Sequence, residues 1–280
     1  MYVQSKAIIE KALKEHYAVP AFNAENLEMI QAIISAAEQM NSPVIIQTTP
    51  PTVKYLDADE AYAMVSVLAG KTNIPVALHL DHCTDFENVM KAIKAGYSSV
   101  MFDGSKLDFE ENIKITRKVV ETAHPMGVTV EAELGKVGGK EDNVEASEDV
   151  YTDPCQAEEF VNRTNVDILA VAIGTAHGFY KGEPKLDFER IEEIAQKTDI
   201  PLVLHGGSGV PDESVKKAIS LGMAKVNFAT ELRAAATKGV RGVLSDETVI
   251  DPKKYMGAAR EEVIKLCMEK IEMCGSKNKA

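Results

Sequence analysis

His82, His177 and His205 stand at the ends of three separate apolar runs: Val76-Ala-Leu-His-Leu-Asp-His82, Ile168 through His177, and Pro201-Leu-Val-Leu-His205. Each run has the composition of a buried strand, so each imidazole is expected where a strand leaves the core. Three neutral nitrogen donors meeting from distant strands suit an open zinc site, with the fourth position left for water or substrate. Carboxylates accompany them. Asp81 precedes His82 and, by strand alternation, is expected on the opposite side. It either orients a ligand histidine or moves a proton at a substrate oxygen near the metal, the reading preferred here. In Val130-Glu-Ala-Glu-Leu-Gly135, Glu131 and Glu133 share one strand face. Two acids on a buried face are expensive unless a cation or donor meets them. Glu133, nearer the strand end, is therefore a candidate for a second metal position together with Asp103. His79 reads as a supporting or core histidine, Cys83 as a weaker ligand candidate, and His16 and His124 as surface residues.

Two glycine-rich segments point to an anion. The chain reads His205-Gly-Gly-Ser-Gly-Val-Pro-Asp212 after the seventh apolar run and Val226-Asn-Phe-Ala-Thr-Glu231 after the eighth. Glycines let backbone N–H groups turn toward an anion, so Gly206, Gly207 and Ser208 form a candidate phosphate cradle. Gly178, directly after His177, permits close approach of a ligand. Arg233 either serves a second anionic group or is a surface arginine. The segment Gly135-Lys-Val-Gly-Gly-Lys-Glu-Asp-Asn143 contains adjacent glycines and leads into an acidic stretch. It reads as a solvated loop or, more sharply, as a lid carrying Glu141 or Asp142 into the site.

The elements that must hold these groups recur along the chain. Apolar or β-rich runs occupy 18–23, 43–48, 75–81, 98–103, 128–134, 168–174, 201–205 and 225–229. Helical spacing fills the intervals, as in Leu27, Ile30, Ile33, Ile34 and Ala37, and Asp57, Asp108, Asp153 and Asp187 are placed as helix caps. Eight alternating units imply a (β/α)₈ TIM barrel of roughly 250 residues, with an open doubly wound sheet as the alternative. Active sites of such barrels lie at the C-terminal ends of the strands, where these acids and histidines fall. The whole chain, 1–280, is expected to be one domain, with an additional C-terminal helix over 252–274 and a frayed end at 275–280. The chain is 45% hydrophobic and 26% charged with a net charge of −12. That balance argues against nucleic acid or an anionic membrane as partner. No run of about 18 apolar residues is present for a membrane span, and the N-terminus lacks a signal peptide's apolar core. The four cysteines show no paired spacing, which suits a cytoplasmic location.

With these residues in place, the chain resembles the class II, zinc-dependent ketose-bisphosphate aldolases, most of all the tagatose-1,6-bisphosphate aldolase-like branch. The resemblance spans nearly the whole chain and rests on PAFN (20–23), SPVI (42–45), LDH (80–82), FDGS (102–105), EAELG (131–135), GGKED (138–142), TDP (152–154), VAIGTAHG (171–178), LHGGSG (204–209) and NFATEL (227–232). It implies a barrel enzyme that cleaves a ketose 1,6-bisphosphate reversibly to dihydroxyacetone phosphate and glyceraldehyde 3-phosphate. It implies zinc on His82, His177 and His205, an alternative metal position at Asp103 and Glu133, a catalytic Asp81 and a loop-borne Glu141. It also implies phosphate contacts at Gly178, Gly206, Gly207, Ser208 and the segment Asn227, Ala229 and Thr230, with Asn23 and Thr49 lining the cleft. A monovalent cation, Na⁺ or K⁺, near the phosphate and a homodimer or homotetramer are usual in that family. The implied chemistry has Asp81 taking the C4 hydroxyl proton as the C3–C4 bond breaks, with Glu141 exchanging a proton at the enediolate carbon. Two positions depart from the fructose-bisphosphate pattern: Ala229 stands where an aspartate is common, and Cys83 replaces a glycine or histidine. These leave the sugar open, including a phosphorylated deoxy-keto acid. Readings of a different class are a metal-dependent barrel hydrolase, disfavoured by the phosphate cradle, and a non-catalytic sugar-phosphate-binding barrel, disfavoured by Asp81 and Glu141.

Overall fold

The computed structural model describes residues 1–141, 144–146, 151–178, 180, 182 and 184–280, and for strand residues 138–141, 144–146 and 177 the backbone alone. The first five strands are β1 (Val19–Asn23), β2 (Val44–Thr48), β3 (Val76–Cys83), β4 (Ser99–Phe102) and β5 (Thr129–Leu134). Then come β6 (Gly138–Glu141), β7 (Val144–Ala146), β8 (Ile168–Val171), β9 (Ala176–His177), β10 (Leu202–Leu204) and β11 (Met223–Phe228). Eight of these close into a parallel barrel in the order β1-β11-β10-β8-β5-β4-β3-β2. The remaining three form a small sheet ordered β7-β6-β9.

The helices are α1 (Ser5–Lys14), α2 (Leu27–Gln39), α3 (Pro50–Leu56), α4 (Ala58–Ala69), α5 (Phe86–Ala95), α6 (Phe109–Ala123), α7 (Pro154–Thr164), α8 (Phe188–Thr198), α9 (Asp212–Ser220), α10 (Thr230–Leu244) and α11 (Pro252–Met273). Their starts follow from short acceptor side chains. Asp57, Asp108, Asp153 and Asp187 each accept a backbone N–H from the first turn of α4, α6, α7 and α8, as expected. The fold is thus the (β/α)₈ barrel with the added C-terminal helix.

Strand alternation sorts the core into two layers. Outward side chains such as Phe22, Ile46, Leu78, Val100 and Leu169 pack with the helices. Inward side chains Ala21, Ile45, Ala77, Met101, Ala170 and Val203 pack with Ile8, Ile9 and Ala12 of α1, which closes the N-terminal end of the barrel. Two residues further along β1, β2 and β3 the inward positions become polar and stay buried, Asn23, Gln47 and His79, and a register irregularity against β10 places the buried Lys225 of β11 opposite inward Val203. The barrel therefore has an apolar floor and a polar throat, and the throat opens at the strand ends where the site lies.

Three expectations are corrected. Barrel strand β8 ends at Val171, not at 174, and His177 sits beyond it in β9. Glycine conformation explains the break: Gly174 has φ +95°, outside the range a strand uses. The C-terminal end is docked rather than frayed. Ser276 is fully buried with its hydroxyl 2.8 Å from that of Ser42, and the Asn278 and Ala280 N–H groups donate to the carbonyls of Met40 and Asn41. His124 is not simply a surface residue: its Nε2 lies 2.9 Å from the buried carboxylate of Asp167, which also accepts from Lys6 and the Val130 N–H. The hydrophobic pattern read at sequence level carries no information on such polar docking partners.

Ile9 is fully buried on α1 against the barrel interior. Ile9→Ala is expected to lower unfolding free energy by about 2–5 kcal/mol in urea titrations while leaving metal affinity unchanged, because it lies at the end opposite the site.

Candidate active site

The site is built from strand ends, and one backbone irregularity sets its geometry. Between Leu80 and Cys83, β3 carries one residue more than β4 spans between Val100 and Phe102. This is a β-bulge, and His82 within it has φ +49°. A bulge re-aims side chains locally. Asp81 and His82, expected on opposite sides, consequently face the same cavity: ligand atoms of Asp81, His82 and His205 all lie within 4.8 Å of one another. The His82 and His205 rings meet edge-on, with centroids 4.4 Å apart. The side chains of His177 and Glu141 lie outside the described residues, as does Asp142. The backbone of His177 is placed by pairing with Gly139 of β6.

Asp81 is held by amides from three strands. Its Oδ2 accepts from Gln47 Nε2 at 3.2 Å and Asn23 Nδ2 at 3.5 Å, and its Oδ1 accepts from Asn227 Nδ2 at 3.3 Å. Gln47 also donates to Asn23 Oδ1 at 2.8 Å, which fixes both amides. His205 donates from Nε2 to Glu131 Oε1 at 3.0 Å. That bond leaves Nδ1 as the nitrogen carrying the lone pair, the arrangement a metal-ligand histidine requires. Asn227 Nδ2 approaches this nitrogen at 3.2 Å. Glu131 is in turn neutralised by Lys225, whose Nζ donates to Oε2 at 2.7 Å; both are fully buried. His79 Nδ1 lies 2.7 Å from the Ser99 hydroxyl, with Nε2 facing Glu131 and Asp81 at 3.5 and 3.8 Å.

A second acidic cluster adjoins the first. His82 Nδ1 lies 3.2 Å from Asp103 Oδ2 and 3.7 Å from Glu133 Oε2, and the three residues place ligand atoms within 4.8 Å of one another. Ser105 donates to the other Asp103 oxygen through both its N–H and its hydroxyl. Burial opposes a charge on His82, but Asp81, the hydrogen bond to Asp103 and Glu133 outweigh it and hold the imidazole well above its ordinary range. Burial, then the charges at Asp103 and its neighbours, pushes Glu133 well above the usual carboxylate range. Burial pushes Asp103 up, but the hydrogen bond to His82, the His82 charge and the two Ser105 hydrogen bonds together outweigh it and hold the carboxyl below its usual range. Burial, and next the charge of His82, keeps His205 well below the ordinary value and therefore neutral.

This donor set fits a divalent cation. Glu133 Oε2 is buried with no hydrogen-bond partner among the described residues. Three acids, Asp81, Asp103 and Glu133, crowd one histidine, a charge arrangement that favours a cation. Imidazole nitrogen with carboxylate oxygen suits zinc and related first-row ions.

The glycine turn is placed as expected. Gly206 has φ +66°, and a Cβ there would collide with the Ala176 carbonyl oxygen. A Cβ on Gly207 would come within 2.8 Å of the Asn227 carbonyl oxygen. The Ser208 hydroxyl accepts from the Ala229 N–H at 3.4 Å. Thr230 begins the 15-residue helix α10, whose preceding residue Ala229 supplies no side-chain cap. Its first N–H groups are therefore not met by a capping side chain from Ala229. Gly178 has φ +91°. Thr49 is buried beside Thr52, which donates to Glu25. Arg233, expected near a second anionic group, pairs with Glu25 at 2.7 Å at the cleft's edge. Sequence reasoning did not single out Gln47, Lys225 or Tyr180. The inward register of Gln47, two residues from inward Ile45, is the signal that would have found the first; Lys225 faces inward through a register irregularity against β10 that alternation does not reveal.

Comparison with known proteins adds a family description. A model described as fructose-bisphosphate aldolase class-II matches residues 3–279. A sulfofructosephosphate aldolase of Alkalicoccus urumqiensis is 46% identical over 286 residues, covering 100% of this chain and 98% of that protein. A fructose-bisphosphate aldolase of Staphylococcus epidermidis is 46% identical over 284 residues, covering 99% of each. The solved structure of the YdjI aldolase from Escherichia coli K12 superposes with a TM-score of 0.90 at 40% identity, covering 100% of both chains.

The buried Lys225–Glu131 pair generates a test. Lys225→Met strands a carboxylate in the throat and is expected to destabilise the protein by about 3–5 kcal/mol. The double variant Lys225→Met/Glu131→Gln should recover much of that loss, as read from denaturant midpoints.

Proposed function

The chain belongs to the class II fructose-bisphosphate aldolase family, and we propose that over residues 1–280, acting as one domain, it catalyses reversible aldol cleavage of a ketose 1,6-bisphosphate. The products in this reading are dihydroxyacetone phosphate and glyceraldehyde 3-phosphate, and the substrate is tagatose- or fructose-1,6-bisphosphate. The observation that carries the reading is the juxtaposition of Asp81, His82 and His205 beside the Gly206-Gly207-Ser208 turn. One carboxylate poised for proton transfer, a metal-binding cluster and an anion cradle meet in one cleft.

Family members depend on a metal. Here His82, His177 and His205 would hold zinc, with Asp103 and Glu133 as an alternative position. When bound, the ion supplies Lewis-acid polarisation of the substrate's C2 carbonyl and C3 hydroxyl oxygens. The chain's own residues do the rest. Asp81, pinned by Gln47, Asn23 and Asn227, takes the C4 hydroxyl proton. The C4–O bond becomes a carbonyl as the C3–C4 bond breaks, and its electron pair moves toward C2 to give the enediolate. Glu141 returns a proton at C3, and in condensation both transfers run in reverse. Gly178, Gly206, Gly207, Ser208, Asn227, Ala229 and Thr230 bind the phosphate through backbone and short polar groups. Asn23 and Thr49 line the cleft, and a Na⁺ or K⁺ ion near the phosphate adds charge balance. A cytoplasmic homodimer or homotetramer completes the reading. Among the described residues no helix is long and apolar enough to cross a membrane.

A second reading concerns the far end of the sugar. Relatives named for two different ketose phosphates match this chain at the same 46% identity. Arg233 is already paired with Glu25, so recognition of the second anionic group by this residue needs that pair to open or share. A ketose phosphate ending in another anionic group is therefore included in the substrate class.

Chelator treatment should abolish triose-phosphate release in a coupled assay, with zinc restoring it; full activity of metal-stripped protein contradicts the reading. Asp81→Ala is expected to lower kcat by about 10²–10⁴-fold with zinc still bound, as measured by metal content and turnover. A panel of tagatose-bisphosphate, fructose-bisphosphate and sulfo-sugar phosphates fixes the substrate. The acids around His82 and the burial of Glu133 hold both groups above their ordinary ranges, so each binds a proton more tightly than a free side chain does and a cation competes with that proton. Apparent metal affinity is therefore expected to rise with pH, by up to about tenfold per unit for each proton displaced, and to weaken in acid.

A further inference from the structure

A single hydroxyl joins two backbone segments of this cleft. Tyr180 Oη accepts the Ala176 N–H at 2.8 Å and donates to the Gly206 carbonyl at 2.8 Å. Ala176 opens β9, and β9 pairs with β6 through Gly138–Ala176 and Gly139–His177. Gly206 opens the glycine turn. The two backbones already touch, since a Cβ at Gly206 would strike the Ala176 carbonyl oxygen.

The Gly206–Gly207 peptide is gripped at both ends. Its carbonyl takes the Tyr180 proton, and its N–H donates to the Asn227 carbonyl at 3.1 Å. Two consecutive glycines lose more conformational freedom on ordering than other residues, so a turn built from them holds one orientation only if something fixes its peptide planes. The Tyr180 ring supplies a second constraint: a Cβ at Gly209 would lie 3.3 Å from its Cδ2, so the ring covers the turn's far end. One phenol therefore contacts both the first and last glycines of the turn and the strand that carries His177.

We propose that Tyr180 is a positioning residue that makes the glycine turn and the β9–β6 ribbon move as one unit, so that filling the turn with a substrate phosphate orders the strand bearing Glu141. This deepens the aldolase reading and rests on its assignment of the phosphate to the turn. Tyr180 itself transfers no proton to substrate. It transmits position: the hydrogen bond that orients the Gly206 carbonyl is made by the oxygen that anchors the Ala176 N–H, so displacement of one segment strains the other. Coupling through a connected pair of hydrogen bonds is reciprocal, so ordering the ribbon also tightens phosphate binding.

The test uses the metal-loaded full chain, dihydroxyacetone phosphate as the probe, and hydrogen–deuterium exchange of two segments, 205–209 and 136–146. In the wild type the probe is expected to slow exchange in both. In Tyr180→Phe, which keeps the ring over Gly209, slowing persists at 205–209 but falls by about five- to tenfold at 136–146. Steady-state kinetics should show kcat reduced together with a raised KM, while the melting temperature stays near wild type. Equal protection of 136–146 in Tyr180→Phe and wild type overturns the role of Tyr180 while leaving the phosphate assignment intact. Absence of protection at 205–209 in the wild type overturns the phosphate assignment, and the coupling with it.

Discussion

Charge neutralisation inside the throat of the barrel governs this structure. Asp81, Asp103, Glu131 and Glu133 are all buried within one cluster of strand ends. An unpaired buried carboxylate is strongly unfavourable, so each must be met. Lys225 meets Glu131 from the opposite wall, amides from β1, β2 and β11 meet Asp81, Ser105 meets Asp103, and His82 stands among three of the acids with its proton retained. The balance is local and lopsided: it is complete at Glu131 and leaves an oxygen of Glu133 without a hydrogen bond among the described residues. Such a donor set, satisfied at Glu131 and rich in oxygen at Asp103 and Glu133, fits a divalent cation.

The same balance orders the site in depth. The apolar floor, closed by α1, keeps water from the lower half of the barrel. In that dry setting the Lys225–Glu131–His205 chain fixes which imidazole nitrogen carries the lone pair, and electrostatic interactions are stronger than at the surface. Above it, the Gly206-Gly207-Ser208 turn and the segment that carries Glu141 lie beyond the barrel strands. The small sheet of β6, β7 and β9 ties the segment that carries Glu141 to the backbone of His177. The lid expected from Gly138 and Gly139 thus has structure of its own, and those glycines are the positions paired with β9.

Most of the barrel was legible because its signals are short-range. Apolar runs of strand length alternating with helical spacing gave the architecture, and aspartates at helix starts gave their caps. The site was legible as far as residue type and strand-end location reach: Asp81, His82 and His205 do meet. The expectation failed where backbone geometry departs from ideal alternation. The bulge at His82 brought Asp81 to its side of the site, and the break at Gly174 moved His177 off its strand. Lys225 and Gln47 were passed over because a lysine and a glutamine in apolar runs look like outward-facing residues until the register is known.

The amino-acid sequence by itself determined the secondary elements, the closed-barrel class and the family, since periodicity, caps and an ordered set of motifs are properties of neighbouring residues. Tertiary structure alone decided which acid faces which base. Lys225 lies 94 residues from Glu131, and Asn227 lies 146 residues from Asp81. Only closure of the sheet brings those strands together, and inside a dry barrel a difference of one residue in register separates a neutralised carboxylate from a stranded one.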